Sequence, residues 1–194
     1  GWAIALSGDY ACIGSPYNND SGSYSGKAYI YQNISGTWTE KHILVASDSA
    51  TDYLFGNSIA IQDNYAIVGA HGKDTNSGAV YIFEKNADNT WGEAQSVGTK
   101  RQETKKVLSD SPESNAQFGF SVGVSQNNFI IGEKRKNIGL NSNAGIAHIF
   151  NLFSKTRTLK TDKLDAELID VSNIKCDELD VSGSINITNI NAGK

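Results

Sequence analysis

Methionine is absent from the 194-residue chain, and proline and cysteine each occur only twice. The cysteines, Cys12 and Cys176, lie far apart in different kinds of segment, so a disulfide framework is not indicated. We expect buried free thiols, because an unpaired cysteine packs as a small hydrophobic side chain. The missing initiator methionine predicts that the chain is a fragment or a processed product of something longer. No apolar run approaches the roughly 20 residues that span a bilayer, and no signal peptide is visible, so we expect no membrane insertion.

The charge of the chain is modest and acidic, with a formal net value of −4. Lysine and arginine cluster only at 99–106 and 133–137, in segments that resemble solvated loops. Binding to a phosphate backbone normally requires an extended basic surface. We therefore expect no nucleic-acid partner.

Catalytic and cofactor motifs are also missing. The three histidines, His42, His71 and His148, occupy unrelated positions and lack the spacing of a metal site. His148 lies inside an apolar strand candidate, where packing is the simpler role. No nucleophile elbow and no phosphate-binding loop is present. The sequence thus predicts a protein that is not an enzyme, with no catalytic, cofactor-binding or metal-binding residues.

The main feature of the sequence is a repeated motif. "FGNSIAIQDNYAIVGA" at 55–70 recurs as "FGFSVGVSQNNFIIGE" at 118–133, and the chain opens on a shortened copy, "GWAIALSGDYACIGSP". Each copy is followed by a second shared element, in the order "SGKAYIYQ", "SGAVYIFEK" and "AGIAHIFN". Internal repetition at this scale indicates one structural unit per copy. The predicted units are 1–54, 55–117 and 118–153.

Each unit contains short strand candidates bounded by turn residues. Unit two offers four, "NSIAIQ", "YAIVGA", "AVYIFEK" and "TWGEAQSV", and the second and third are predicted to pair as antiparallel neighbours. Their continuous apolar runs are typical of strands covered on both faces. About ten extra residues around "GTKRQETK" lengthen this unit, and unit three ends before a fourth strand. Four short strands per unit indicate all-β blades of a β-propeller, three repeats with the third incomplete; the alternative is a β-sandwich.

The repeat predicts specific structural equivalences. Phe55 and Phe118 are expected to occupy matching buried sites. Trp38 and Trp91 are expected on matching outer strands. Superposing unit one on unit two is expected to bring Gly1 onto Gly56 and Gly26 onto Gly78.

The order of Phe-Gly, Gly-Ala and Ser-Gly-x-x-Tyr elements over 1–153 resembles the FG-GAP repeat family. That resemblance implies blades of the integrin type, found in extracellular and viral surface proteins. Many members bind Ca²⁺ in the loop after the Gly-Ala element, which here corresponds to 17–26, 72–78 and 134–145. The oxygen ligands available for such a site are few: Asp20 in the first loop, Asp74 with Asn76 in the second, and the flanking Glu133 in the third, where Lys134, Arg135 and Lys136 would repel a cation. Ordinary turn chemistry is the alternative explanation of these loops.

The pattern of the sequence changes after a short predicted linker at 154–158. From 159 to 194, apolar residues recur every five positions, with a second row two residues later. This pattern fits neither a heptad nor an α-helix and predicts a β-solenoid or an intertwined trimeric β-stem; a floppy linker is the alternative. The segment resembles the stems of phage and algal-virus fibre proteins. The predicted oligomerisation residues are Leu164, Ile169, Val171, Ile174, Leu179 and Val181.

Together these features predict a non-enzymatic, surface-exposed structural or attachment module, extracellular or on a virion surface. We expect a homotrimer, in a virion fibre or spike, that binds a host-surface receptor or glycan through its propeller loops. One alternative is a cellular adhesion or scaffold protein of integrin-like character with Ca²⁺ in its loops. Another is the non-catalytic part of a polysaccharide-processing enzyme. Three blades would not close a propeller alone, so further repeats before Gly1, or another chain, are expected to complete it.

Overall fold

A computed structural model describes residues 1–94, 100–126 and 128–151. These residues form an all-β structure of three sheets, none of which closes on itself. The predicted linker and stem, with Cys176 and all six predicted oligomerisation residues, lie outside the described residues. The prediction of a trimeric stem therefore remains a prediction.

Each repeat unit builds one antiparallel meander. Unit one contains β1 (Ile4–Ser7), β2 (Tyr10–Ser15), β3 (Lys27–Ile34) and β4 (Thr37–Leu44). Unit two contains β5 (Ser58–Gln62), β6 (Tyr65–Ala70), α1 (Lys73–Asn76), β7 (Ala79–Glu84), β8 (Glu93–Ala94), β9 (Lys100–Gln102) and β10 (Lys105–Val107). Unit three contains β11 (Phe118–Ser125), β12 (Asn128–Glu133) and β13 (Ile146–Asn151). The only helix among the described residues is the single turn α1.

The strand registers of the three units coincide. Ala3 and Gly14 meet at the start of the first hairpin through a 2.8 Å backbone hydrogen bond, and the equivalent pairs are Ser58 with Gly69 and Ser121 with Gly132. β6 and β7 pair as antiparallel neighbours, which confirms the prediction for "YAIVGA" and "AVYIFEK". The repeat in the sequence is therefore a repeat in backbone structure.

The fourth strand of unit two is not the predicted "TWGEAQSV". β10 pairs with β7 instead, placing Val107 opposite Val80, as Leu44 lies opposite Ala28 in unit one. The extra residues join the sheet of unit one instead of the sheet of unit two. β8 and β9 pair with each other, and β9 pairs in parallel with β4 at the edge of the first sheet. The sequence analysis recognised the additional residues but placed the fourth strand before them, at the tryptophan motif. The fourth strand, β10, follows them.

Trp38 and Trp91 occupy corresponding pairing positions in different environments. Trp38 lies opposite Asn33 within β4, and Trp91 lies opposite Lys85 in an isolated bridge. Asn33 and Lys85 are equivalent when Gly26 is aligned with Gly78. However, Trp38 is 44% exposed whereas Trp91 is fully buried. Trp91 thus matches Trp38 in its pairing partner, but it lies in an isolated bridge instead of an outer strand, and its side chain is part of the core between units one and two.

Unit two is covered on both faces. Its face toward unit one contributes Val68, Tyr81 and Phe83 to a core shared with Ile30 and Leu44. The opposite face contributes Ala60, Ile67, Val80 and Ile82 to a second core. Unit three contributes Phe118, Phe129 and Ile131 to the same core. This explains why the strands of unit two are apolar at successive positions.

Phe55 and Phe118 mark the two junctions between units. Both are fully buried, and their backbones bridge to Gly26 and Gly78 of the preceding unit. A Cβ atom at Gly78 would overlap the backbone of Phe118, so this junction requires glycine. The predicted correspondences of Phe55 with Phe118 and of Gly26 with Gly78 are confirmed.

The predicted correspondence of Gly1 with Gly56 is confirmed by the strand register, because Ile4 pairs with Ile13 as Ile59 pairs with Val68. The hydrogen bonds at the start of the two hairpins nevertheless differ. Gly14 and Gly69 are equivalent acceptors, but the amide that donates to Gly14 belongs to Trp2, whereas Gly56 itself donates to Gly69, at 2.8 and 3.0 Å. Gly56 has φ +91, which bends the chain out of regular strand geometry. The strand that follows nevertheless returns to the common register.

Candidate functional site: loops and inter-unit linkers

The loops that follow the second strand of each unit lie against the segments that connect the units. We call 17–26, 72–78 and 134–145 loops one, two and three, and 45–54 and 108–117 linkers one and two. In loop one, the carbonyls of Ser23 and Tyr24 accept hydrogen bonds of 2.8 and 2.9 Å from the amides of Asp52 and Leu54. Loop two holds linker two in the same way, with Asn115 donating to Thr75 and Gln117 to Asn76 at 3.0 and 2.8 Å.

The two linkers share an unusual backbone. Asp52 and Leu54 have φ of +63 and +56, and the equivalent Asn115 and Gln117 have +64 and +62. Loop two also contains consecutive left-handed residues, among them the β-branched Thr75 at φ +56. Side chains other than glycine adopt this region rarely. The loop–linker contact therefore has the same backbone conformation at both junctions.

Buried lysines lie at the centre of these contacts. The side chain of Lys73 is 8% exposed and pairs with Asp74 of its own loop and with Asp48 of linker one, the latter at 3.5 Å. Lys136 is 9% exposed and pairs with Glu113 of linker two at 3.0 Å and with Glu133 at 3.6 Å.

Burial by itself lowers the pKa of the Lys73 ammonium, but its hydrogen bonds to Asp74 and Tyr53 and the charge of Asp48 outweigh burial and raise that pKa. The hydrogen bond from Lys136 lowers the pKa of Glu113. These contacts thus favour the protonated ammonium of Lys73 and the ionised carboxylate of Glu113.

Asp48 connects several parts of the first junction. Its carboxylate accepts hydrogen bonds from Tyr81 at 2.8 Å and from Lys106 at 2.9 Å, in addition to its ion pair with Lys73. Burial by itself raises the pKa of Asp48. The hydrogen bonds from Lys106 and Tyr81 and the charges of Lys106 and Lys73 outweigh burial, and the pKa of Asp48 is lower than its ordinary value. Asp48 therefore ties linker one to β7 and β10 as an ionised group.

The residues of these loops do not fit a calcium ion. Ca²⁺ takes six to eight oxygen ligands, several of them from carboxylates. Asp20, Asp74 and Glu133, the acids available to the three loops, each pair with a lysine: Lys27, Lys73 and Lys136. Asn76 instead donates to the side chain of Asn115. Within 1–94, 100–126 and 128–151, no group of three or more histidine, cysteine, aspartate or glutamate side chains could hold a metal.

The histidines do not form a common site. His148 lies beside the fully buried Glu133, with its Nε2 2.8 Å from a carboxylate oxygen, and stacks on Phe150. Ser109 donates to the same carboxylate at 3.1 Å. His42 and His71 lie in other units, and burial lowers the pKa of each imidazole. The Glu133 carboxylate thus connects Ser109 of linker two to His148 of β13.

Exposed aromatic side chains form a separate cluster on unit one. Trp2, Tyr17 and Tyr24 are 60%, 51% and 47% exposed. Their rings meet edge to face, with centroids 5.4 Å apart between Trp2 and Tyr17 and 5.6 Å apart between Tyr17 and Tyr24. The sequence analysis did not single out this cluster. Trp2 precedes β1, whereas Tyr17 and Tyr24 belong to loop one, so the cluster forms only in the folded structure.

The family comparison agrees with the repeat. Residues 1–31 and 38–83 match the FG-GAP repeat family, which supports the FG-GAP interpretation of units one and two. FG-GAP repeats are typical of adhesion-type or structural modules, are generally non-catalytic, and occur typically in extracellular proteins. No curated protein matches the chain. In the described part of the chain, no helix has the length and apolar character needed to cross a membrane.

Proposed function

We propose that the chain is a non-enzymatic attachment module, in which propeller-type blades present their loops to a receptor or glycan and the C-terminal segment forms a trimeric stem. The observation that carries the proposal is the exposed cluster of Trp2, Tyr17 and Tyr24. Large exposed aromatic side chains with polar edges are enriched where proteins recognise partners. A contiguous apolar patch on a monomer surface also indicates a binding site.

The cluster does not serve the packing of the repeat. By strand register, the positions of Trp2, Tyr17 and Tyr24 correspond in unit two to Asn57, Gly72 and Asn76, none of which is aromatic. Unit two nevertheless folds and stacks in the same way as unit one. The aromatic side chains are thus an addition of unit one, which supports a role in binding.

The outward faces of the end units support a larger propeller. Ile130 and Ile149, on the outward face of unit three, are 45% and 75% exposed, whereas the equivalent Ile67 and Ile82 of unit two are 0% and 3% exposed. On unit one, Leu6 is 62% exposed and its equivalent Ile61 is 7% exposed. Faces of this kind are buried wherever a neighbouring unit is present, so we propose that further blades of the same type cover them.

Binding to an array of immobilised oligosaccharides tests the loop surface. The full chain is compared with Tyr17→Ala and Tyr24→Ala, and with Trp38→Ala as a control that removes a half-exposed tryptophan from a different surface. We expect the tyrosine variants to lose binding while Trp38→Ala retains it. Equal binding by all variants would exclude this surface, and a wild-type chain that retains no glycan would direct the proposal to a protein receptor.

The mass of the chain in solution tests the stem. Wild-type protein is expected to form a trimer, because large apolar side chains spaced along 164–181 require a cover. Each such side chain contributes roughly 1.5–3 kcal/mol when buried. The double variant Ile169→Asp/Ile174→Asp is expected to be monomeric with its blades folded. A wild-type monomer would refute the stem without bearing on the loop surface.

This proposal places the module in a virion fibre or spike. Three weak sites on one trimer would gain avidity through their effective concentration. Images of the intact assembly would show three multi-bladed heads on one stalk. The alternative of a Ca²⁺-dependent adhesion protein is less well supported, because lysines pair with the acids of all three loops.

A further inference from the structure

Lys73 and Lys136 occupy the same place in their units. Each is the fourth residue after the glycine near the end of the second strand of its unit, Gly69 or Gly132. The carbonyl of Lys73 accepts the amide of Gly78 at 3.0 Å, and that of Lys136 accepts the amide of Gly145 at the same distance. The two lysines are therefore fixed by equivalent backbone contacts.

Both side chains also point toward equivalent parts of the linkers. Lys73 reaches Asp48, and Lys136 hydrogen-bonds the backbone carbonyl of Ser111. Asp48 follows Leu44 by four positions, and Ser111 follows Val107 by four, where Leu44 and Val107 are equivalent residues of β4 and β10. Each ammonium thus lies between a loop and the linker that enters the same unit.

Acids surround these ammonium groups. Asp48 and Asp74 approach Lys73, and Glu113 and Glu133 approach Lys136. Without a positive charge between them, two carboxylates at such a site would repel each other. In loop one, where Asn18 stands at the equivalent position, the carboxylate of Asp20 pairs with the buried Lys27.

We propose that these lysines are the resident cations of the loops. Lys73 and Lys136 supply the positive charge that a calcium ion supplies in the sites implied by the family resemblance, and Lys27 does so for the acid of loop one. An ammonium fixed at this place repels a divalent ion. The loops therefore hold the linkers without metal, and the junctions between units are independent of Ca²⁺. The inference is independent of the attachment role.

The test measures thermal unfolding of the full chain with added Ca²⁺ and with EDTA. The wild-type midpoint is expected to be the same in both. Lys73→Met keeps most of the apolar stem but removes the charge, leaving Asp48 and Asp74 without this partner. Its midpoint is expected to fall, because the two carboxylates then lose an opposite charge and the contact between loop and linker is weakened. Added Ca²⁺ is expected to restore part of the loss. Lys73→Arg keeps the charge and is expected to show no response to Ca²⁺.

Terbium provides a second measurement at the same place. The ammonium of Lys73 lies 4.9 Å from the centre of the Tyr53 ring, so a terbium ion bound in its place would be sensitised by excitation of that tyrosine. We expect new terbium emission in Lys73→Met compared with wild type and with Lys105→Met, a control at an exposed lysine on β10. The Tyr53→Phe change in the Lys73→Met background is expected to reduce the emission.

Several outcomes would overturn the proposal. A wild-type midpoint that rises with Ca²⁺ or falls with EDTA would show that the loops use a metal. A Lys73→Met variant as stable as wild type would show that the charge is not needed. If Lys73→Met fails to fold without Ca²⁺ while Lys73→Arg folds, the requirement for a cation at this place is upheld. Lys136→Met repeats the measurement independently in unit three.

Discussion

Replacing Gly78 by alanine tests the geometry of the junction between units two and three. Gly78 has φ +90, and a Cβ atom there would overlap both the amide and the carbonyl of Phe118. Gly36, in the turn between β3 and β4, has almost the same φ, +88, but a Cβ atom there meets nothing within 4 Å. The two glycines therefore have a similar conformational requirement, and only Gly78 has a neighbouring backbone against it.

The two costs can be separated on this basis. A positive φ costs an alanine about 1–2 kcal/mol, and this applies to both Gly36→Ala and Gly78→Ala. The contact with the Phe118 backbone adds about 1–3 kcal/mol at Gly78 alone, the usual range for overpacking. Since 1 kcal/mol shifts the unfolding midpoint of a chain of this size by roughly 2–4 °C, Gly78→Ala is expected to unfold at a clearly lower temperature than Gly36→Ala.

Thermal unfolding followed by circular dichroism measures the difference. Gly26→Ala serves as an internal repeat, because its Cβ atom would meet the backbone of Phe55 in the same way. It is expected to behave like Gly78→Ala. The reasoning would be refuted if Gly78→Ala and Gly36→Ala were equally stable, since the backbones of neighbouring units would then not lie in contact.

Three further predictions concern the core and its charges. Phe118→Ala and Phe55→Ala are each expected to lower the free energy of unfolding by about 3–5 kcal/mol, measured by urea titration; a small effect at either would contradict the equivalence of the two junctions. In a Cys176→Ser background, Cys12 is expected not to react with a disulfide reagent at pH 8 until the protein unfolds, because burial raises the pKa of its thiol to about 12; rapid reaction in the native state would contradict its burial. Burial raises the pKa of Asp48, but its hydrogen bonds lower that pKa below the ordinary value. The unfolded state therefore binds more protons at this residue, and stability is lost as pH falls below about 4. Asp48→Asn is expected to flatten this part of the curve of stability against pH, and an unchanged slope would exclude the contacts of Asp48 with Lys73 and Lys106 as a source of stability.

The strand pairing of units one and two could be predicted from sequence because short apolar runs and turn residues recur at fixed spacing. The position of β10 as the outer strand of unit two could not be predicted, because only three residues form it. In addition, the tryptophan element that marks the outer strand in unit one lies before the insertion in unit two. Position along the chain does not show which sheet an inserted hairpin will join. That choice depends on the free edge of β4, which exists only in the folded structure.

The lysines of the loops were visible in the sequence but were interpreted only in part. The sequence analysis named Lys136 among the charges that would repel a cation, whereas Lys73 was not singled out. Alignment of Gly69 with Gly132 places both lysines four residues later, and this was the available signal. Their burial and the linker acids that they pair with come from distant parts of the chain, so spacing within a loop could not show them.

The parallel pairing of β9 with β4 has a consequence for the order in which the chain can fold during synthesis. The amide of Val45 donates to the carbonyl of Arg101 at 2.9 Å, and the side chain of Arg101 holds the carbonyls of Trp91 and Gly92 at 2.7 Å each. The sheet that begins at residue 4 is thus completed by residues synthesised almost a hundred positions later. Until they emerge from the ribosome, the edge of β4 remains open to pairing with another chain, so the first two units are expected to reach their final structure together.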